Sequence, residues 1–164
     1  MSRTWEAFAA QAPRIAAVFE RRHTATGHLC FLGTLRPDGF PRISPVEPQL
    51  FEGTLWIGGM PGTAKFRDLH RDGRFTLHTA SVDTHVGDGD AKVWGTARHV
   101  ADPDLHARYA SDLHARTGFD LRGQKFPDFF AAAITGAAAV EIVDGHLDIT
   151  VWRDGSAERV VRKH

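Results

Sequence analysis

Turn dipeptides set between short apolar runs constrain this chain more than any other feature it has. Arg36-Pro37-Asp38-Gly39, Glu52-Gly53, Asp144-Gly145 and Asp154-Gly155 each stand between segments rich in strand formers. Asp-Gly supplies the positive φ that a tight hairpin needs, so neighbouring segments fold back as antiparallel pairs. The strands so delimited run over 28–35, 42–50, 54–58, 75–80, 92–97, 138–143, 147–152 and 157–161. Pro45 and Pro48 cannot donate to a ladder, which makes the second of these an edge strand or a bulged one. About eight strands in so short a chain close naturally into a barrel.

Helical signals punctuate the strands. Trp5, Phe8, Ala12, Ile15 and Phe19 recur at helical spacing, but Pro13 interrupts them. The expectation is a short first helix and a second one ending by His23, a helical segment over 1–24. Phe66 and Leu69 mark a third helix with Gly73 as its cap, and Asp102-Pro103 opens a fourth that carries Leu105, Tyr109 and Leu113 to Gly118. A further small helix is expected over 128–134. The fold class is mainly β with helices (α+β), in one domain spanning 1–164.

Charge excludes several functions. Twenty Lys+Arg balance twenty Asp+Glu, so there is no basic footprint for nucleic acid or an acidic membrane. The single cysteine, Cys30, rules out an internal disulfide or a multi-cysteine zinc site. In the middle of an apolar strand it reads as an inert buried thiol. No apolar run reaches signal or membrane length, and a cytoplasmic protein is expected.

One segment carries ligand chemistry. Gly58-Gly59-Met60-Pro61-Gly62-Thr63-Ala64-Lys65 leads from a strand into a helix, where backbone N–H groups, a hydroxyl and an ammonium can converge on one anion. It is not a Walker A loop, because Lys65 follows no glycine. Its alternative reading is a glycine-rich turn in which Thr63 caps the helix and Lys65 is solvated.

The sequence 34–46, Gly53-Thr54-Leu55-Trp56, Thr63 to Asp72 with Phe75, and Lys92-Val93-Trp94-Gly95-Thr96-Ala97 resembles, in order and spacing, the pyridoxamine 5'-phosphate oxidase-like superfamily of FMN-binding split barrels. The closing 147–152 with Arg159 and Arg162 is similar to that family's final Trp and Arg segment. The resemblance implies an antiparallel six-stranded split β-barrel, a homodimer, and FMN in clefts between the subunits. Carried over by position, it assigns cofactor contacts to Arg42, Ser44, Gly58, Gly59, Met60, Thr63, Lys65 and Lys92, with Trp152 offered across the dimer. Ala64 stands where the oxidases have an Arg beside the phosphate lysine, a role left to Arg42 or Arg67. Arg159 to Lys163 contains no His, so the vitamin-phosphate site is incomplete and pyridoxamine-phosphate oxidation is not expected.

The function expected is therefore an FMN-dependent oxidoreductase acting on a small molecule. A deazaflavin coenzyme would use the same cleft, a haem-binding barrel would want His78 or His85 as axial ligand, and a non-catalytic flavin carrier would need only the binding residues. No nucleophile and base pair stands out, so no catalytic residue is assigned. Asp83, His85, Asp88 and Asp90 read as a solvated loop rather than a metal site, and no metal is expected. His106 and His114, eight apart on one helix, read as surface residues.

Overall fold

The computed structural model describes residues 3–81, 84 and 87–163. Helices α1 (Trp5–Gln11) and α2 (Pro13–Ala25) lead into β1 (Cys30–Leu35), β2 (Pro41–Val46), β3 (Gln49–Phe51) and β4 (Thr54–Gly58). Helix α3 (Ala64–Arg71), β5 (Arg74–Thr79), β6 (Asp90–His99), α4 (Pro103–Thr117), β7 (Phe129–Val143), β8 (His146–Arg153) and β9 (Arg159–Lys163) follow. Asp83 and His85 lie outside the described residues.

Antiparallel pairing closes a barrel. β1 pairs with β2 on one side and β5 on the other, β5 with β6, β6 with β7, β7 with β4, and β4 with β3. Because β2 and β3 are one path broken at Pro48, the ring is β1, β2–β3, β4, β7, β6 and β5, the six-stranded split barrel. The break is where the expected single strand over 42–50 becomes two. β8 continues the sheet from the far half of β7, and β9 pairs with β8.

The turn chemistry acts as the sequence implies at two of the four turns, whereas the loops that follow β1 and β8 are each five residues long, with a positive φ only at Gly39 and at Gly155. Glu52 and Gly53 (φ 45 and 70), and Asp144 and Gly145 (φ 50 and 75), both carry the two positive φ angles of a two-residue hairpin. Thr4 caps α1 through its hydroxyl, Asp102 caps α4, and Gly118 (φ 76) ends α4 in the left-handed conformation.

Two local expectations are corrected. Residues 128–134 do not form a helix: Phe129 begins the 15-residue β7. Its alanines favour a helix in isolation, but β6 hydrogen-bonds one edge of this strand while β4 and β8 share the other, and paired burial overrides propensity. Gly73 is not a helix cap, since α3 ends at Asp72 in extended backbone. A Cβ at Gly73 would come within 2.6 Å of the Ala97 carbonyl oxygen, so glycine is required there by close approach to β6.

The barrel interior is filled by Leu32, Leu55, Ile57, Leu77, Val93 and Ile134, and α1 and α2 add Phe8, Ile15 and Phe19 to the same core. A second cluster under α4 joins Leu105, Tyr109 and Leu113 to Trp56 and Phe129, whose rings stack at 4.5 Å. The outer face of β2, β1 and β5 is left uncovered. Cys30 is fully buried, and burial pushes its thiol up to about 12, so it is inert as expected. Helix α4 uses His106 for structure: its Nε2–H donates to the Val100 carbonyl oxygen and its ring packs edge-on to Phe129.

Candidate functional site

Strand alternation builds a groove on the barrel wall. In β1, Cys30 and Leu32 point into the core, so Phe31, Gly33 and Leu35 point out. Register sets Pro45, Ile43 and Pro41 of β2 beside them on one side and His78 and Thr76 of β5 on the other. Gly33 has no side chain, so the row is hollow at its middle. The result is an open cavity of about 430 Å³ lined by Phe31, Pro41, Ile43, Phe75, Thr76 and His78. Phe31 is 40% exposed and Ile43 75%, an unusual apolar outlay on solvent-facing strands.

His78 faces this groove, and its neighbour across the sheet is Lys92. Its Nδ1 donates to the Thr79 carbonyl oxygen at 2.7 Å. Asp90 Oδ1 is 3.6 Å from His78 Nε2 and 3.9 Å from Lys92 Nζ.

The glycine loop lies at the end of the barrel marked by the start of β7. Gly58 pairs with Phe129, and a Cβ at Gly58 would come within 3.2 Å of that ring. One at Gly59 would meet Phe66 at 3.5 Å. These two glycines are thus small because aromatic rings pass close by. Met60 is 77% exposed. Gly62 adopts φ 73, and its N–H donates to Asp128 Oδ2 at 2.7 Å. Thr63 occupies the cap position of α3, yet its hydroxyl makes no cap bond: Oγ1 is shielded from solvent and without a hydrogen-bond partner. Lys65 Nζ lies 5.0 Å from the Phe66 ring centroid, and no carboxylate pairs with it among the described residues. Thr63 and Lys65 therefore keep donors for an anion, whereas the Gly62 N–H is already engaged.

Each of the two arginines named for the place of the one missing at Ala64 is tied to the protein by one nitrogen. Arg42 Nε donates to Asp68 Oδ2 at 2.7 Å, and Asp68 also accepts from Thr34 Oγ1 at 2.9 Å and from Arg71. Burial would raise the Asp68 pKa, but the hydrogen bonds from Arg42, Thr34 and Arg71 outweigh it and hold the carboxyl below its ordinary value. Arg67 donates to the Gly62 carbonyl oxygen. Ser44 sits opposite Leu32 on the inward-facing side of β2, away from the groove.

Trp152 is a correction. It lies opposite Ala137 and is 2% exposed, with its ring 5.2 Å from that of Phe8 in the core. Alternation along β8 turns Trp152 inward with Asp148 and Thr150, so it packs beneath α1 and cannot stack on a ligand outside the barrel. The tryptophan on the outward face is Trp94, opposite Thr76, with Arg153 5.0 Å over its ring.

The comparisons with known proteins bear on this arrangement. The family model described as pyridoxamine 5'-phosphate oxidase matches residues 17–142, from α2 to the end of β7. The chain belongs to that family. No curated protein matches it. Among solved structures, it is similar to a heme binding protein from Mycobacterium smegmatis at 20% identity and a TM-score of 0.58, over 82% of this chain and 57% of that one. It is also similar to a conserved hypothetical protein from Mycobacterium tuberculosis (17% identity, TM-score 0.56, 73% and 81% covered) and to an F420 reductase (16%, 0.53, 76% and 95%). At these identities the likenesses establish the split-barrel fold.

Within the pyridoxamine 5'-phosphate oxidase family frame, one chain divides its polar site residues between two ends. His99 and the glycine loop share one end, since the His70 ring is 4.8 Å from that of His99 and bonds Asp128. Lys92 lies seven residues back along β6, roughly 23 Å at strand rise. Asp128 was hidden in the sequence because Pro127-Asp128 before an apolar run reads as a helix start. Its only signal was a carboxylate next to a strand end.

Proposed function

We propose that the protein is a homodimeric oxidoreductase that binds FMN against the outer face of β1, β2 and β5, with its phosphate at Thr63 and Lys65. The observation that carries this reading is an open apolar groove on the barrel wall in a chain that also holds an unpartnered, shielded threonine hydroxyl and an unpaired lysine at a helix start. A flavin needs an apolar bed for its ring and donors for its phosphate, and these residues offer both. FMN, when bound, supplies hydride transfer to or from a small-molecule substrate.

The chain's own residues bind and orient. Phe31, Pro41 and Ile43 give the ring an apolar bed and exclude water from one face of it. His78 and Lys92 set hydrogen-bond donors and positive charge beside that bed. Because Lys92 stands roughly 23 Å from the loop end of its own chain, it serves the phosphate end only when a two-fold partner turns its β6 toward this cleft. Pairing also covers Phe31 and Ile43. The substrate class is a small molecule that enters over the exposed ring face, and a deazaflavin coenzyme would use the same bed and the same cations.

A second reading has one observation in its favour: His78 lines the apolar groove with its Nδ1 anchored on the Thr79 carbonyl, as the second nitrogen of a metal-ligating histidine is, although its Nε2 lies 3.6 Å from Asp90 Oδ1. The absorption spectrum of the untreated purified protein, followed by titration with FMN, a deazaflavin and haem, separates these readings. Flavin bands and a micromolar or tighter FMN affinity are expected; an intense Soret band that disappears in His78→Ala would overturn the flavin reading.

A further inference from the structure

The glycine loop is fastened to the barrel by one buried side chain from a distant part of the sequence. Asp128, in the residue just before β7, is 8% exposed, and both of its oxygens are engaged. Oδ2 accepts the Gly62 N–H at 2.7 Å, and Oδ1 lies 2.8 Å from His70 Nε2 on α3. The His70 ring in turn packs edge-on to Phe130 at 4.9 Å and to His99 at 4.8 Å, and His99 Nε2 is 2.8 Å from the Pro127 carbonyl oxygen. β4's exit, the last turn of α3 and the entry to β7 thus meet at one carboxylate.

This fastening has a geometric effect on the residues that follow Gly62. Gly62 holds φ 73, and its N–H is turned to Asp128 and away from any ligand. With Arg67 holding the Gly62 carbonyl oxygen from the other side, both polar groups of that peptide unit are fixed. The next residue, Thr63, then enters α3 in extended backbone, with its hydroxyl uncommitted and its carbonyl oxygen accepting from the Phe66 and Arg67 N–H groups. A free glycine loop would sample many conformations, and ordering each residue on ligand binding costs backbone entropy. A fastened loop has already met that cost.

We infer that Asp128 is the positioning residue of the anion-binding loop: by holding the Gly62 N–H and His70 it fixes the conformation in which Thr63 and Lys65 present their donors to a phosphate. The inference rests on the FMN reading for the identity of that phosphate. Asp128 does not touch the ligand; its carboxylate would repel one, and its engagement with Gly62 and His70 keeps that charge pointed into the protein.

The test uses the intact protein with Asp128→Ala, Asp128→Asn and His70→Ala, and reads two quantities. The first is the ratio of FMN to riboflavin affinity, which isolates the phosphate. The second is the amide hydrogen exchange of 59–65 at one fixed pH. Asp128→Ala should lower the FMN preference by tenfold or more and speed exchange at Gly62. Asp128→Asn keeps an oxygen for the Gly62 N–H and should recover most of the preference, which a general loss of stability would not allow. His70→Ala should fall between the two. Unchanged exchange at Gly62 in Asp128→Ala overturns the fastening, and faster exchange with an unchanged FMN preference overturns the positioning role. A wild-type protein that binds FMN no better than riboflavin overturns the phosphate reading of this loop and the role of Asp128 with it, a result distinguishable because it appears before any substitution is made.

Discussion

Arg42 Nε and Asp68 Oδ2 lie 2.7 Å apart, joining the outermost turn of strand β2 to the middle of helix α3. Asp68 is almost wholly buried and also accepts from Thr34 and Arg71, so one carboxylate gathers β1, β2 and α3 at the foot of the groove. Arg42 is held there by its Nε–H alone, so Asp68 offsets its charge and fixes its place while the Nη groups keep their donors.

Removing that carboxylate leaves two guanidinium groups and a hydroxyl without their acceptor. Asp68→Ala should lower unfolding free energy by about 3 kcal/mol, the usual cost of breaking a mostly buried ion pair from one side. Denaturant melts of the two proteins measure it. A loss under about 1 kcal/mol would mean that Arg42 and Arg71 are equally well served by water.

The barrel was legible in the sequence because its turns are chemically explicit. Glu52-Gly53 and Asp144-Gly145 demand positive φ at both positions, and residues that tolerate it there have few other uses. β7 was not legible past its second half. Ala131 to Ala133 carry no strand preference, and it is pairing with β6 along all three, joined by β4 on the other edge at Ala131, that makes them a strand, a fact of tertiary pairing that local composition does not encode. The site divides in the same way. Glycine and helix-start signals single out Thr63 and Lys65 as candidates, whereas Asp128 reaches Gly62 from 66 positions away and leaves no local trace. Trp152 was misplaced because a strand's period of two says that a residue alternates but not which face is inside.

Trp152 therefore makes a sharp prediction in the opposite sense to a ligand contact. Its ring packs on Phe8 in the core, so Trp152→Ala should destabilise the fold by about 3 to 5 kcal/mol. Trp152→Phe should be milder, since the indole Nε1 has no hydrogen-bond partner to lose. Both variants, where folded, should bind FMN as the wild type does. A shift in flavin fluorescence with unchanged thermal stability would return Trp152 to the site.

Strand β9 is held by charge. Asp148 accepts from Arg162 Nε at 2.7 Å and Nη2 at 2.9 Å, and from Arg14 Nη2 at 3.2 Å. The Arg162 hydrogen bonds, with help from Arg14 and against burial, bring the Asp148 pKa down to about 2. A carboxyl depressed on folding stabilises the fold fully above its unfolded value of about 3.9 and loses that contribution as pH falls toward the folded value. The thermal-stability advantage of wild type over Asp148→Asn should thus be constant above about pH 5 and shrink between pH 4 and 2. A difference that does not vary over this range would show that the ion pairs add nothing beyond shape.

The exposed apolar groove predicts assembly. Ile43 stands on the outer face of an edge strand at 75% exposure, and a charge placed there would have to shed its water if a second copy covered it. If the proposed dimer forms through this face, Ile43→Asp should give monomer at micromolar concentration while leaving the monomer's melting temperature nearly unchanged, because the residue is in water in the isolated chain. Light scattering reads the first quantity and calorimetry the second. Dimers that persist in Ile43→Asp would place the interface elsewhere.

Lys65 is the residue on which the phosphate reading turns. It stands in the first turn of α3, where the helix dipole disfavours a cation unless an anion is close, and no carboxylate among the described residues pairs with it. Its contact with the Phe66 ring at 5.0 Å contributes about 0.5 to 1 kcal/mol at an exposed site, roughly offsetting the dipole. Lys65→Ala should therefore leave the stability of the ligand-free protein almost where it was. A charge-assisted hydrogen bond to phosphate contributes about 1.5 to 3 kcal/mol, so the same change should weaken FMN binding by about 10- to 150-fold. Riboflavin, which lacks the phosphate, should bind both proteins alike. Arg67→Ala is the control, since Arg67 is engaged with the Gly62 carbonyl oxygen and should alter FMN affinity less than Lys65 does. Equal loss for FMN and riboflavin in Lys65→Ala, or no loss for either, would show that this ammonium does not read the phosphate.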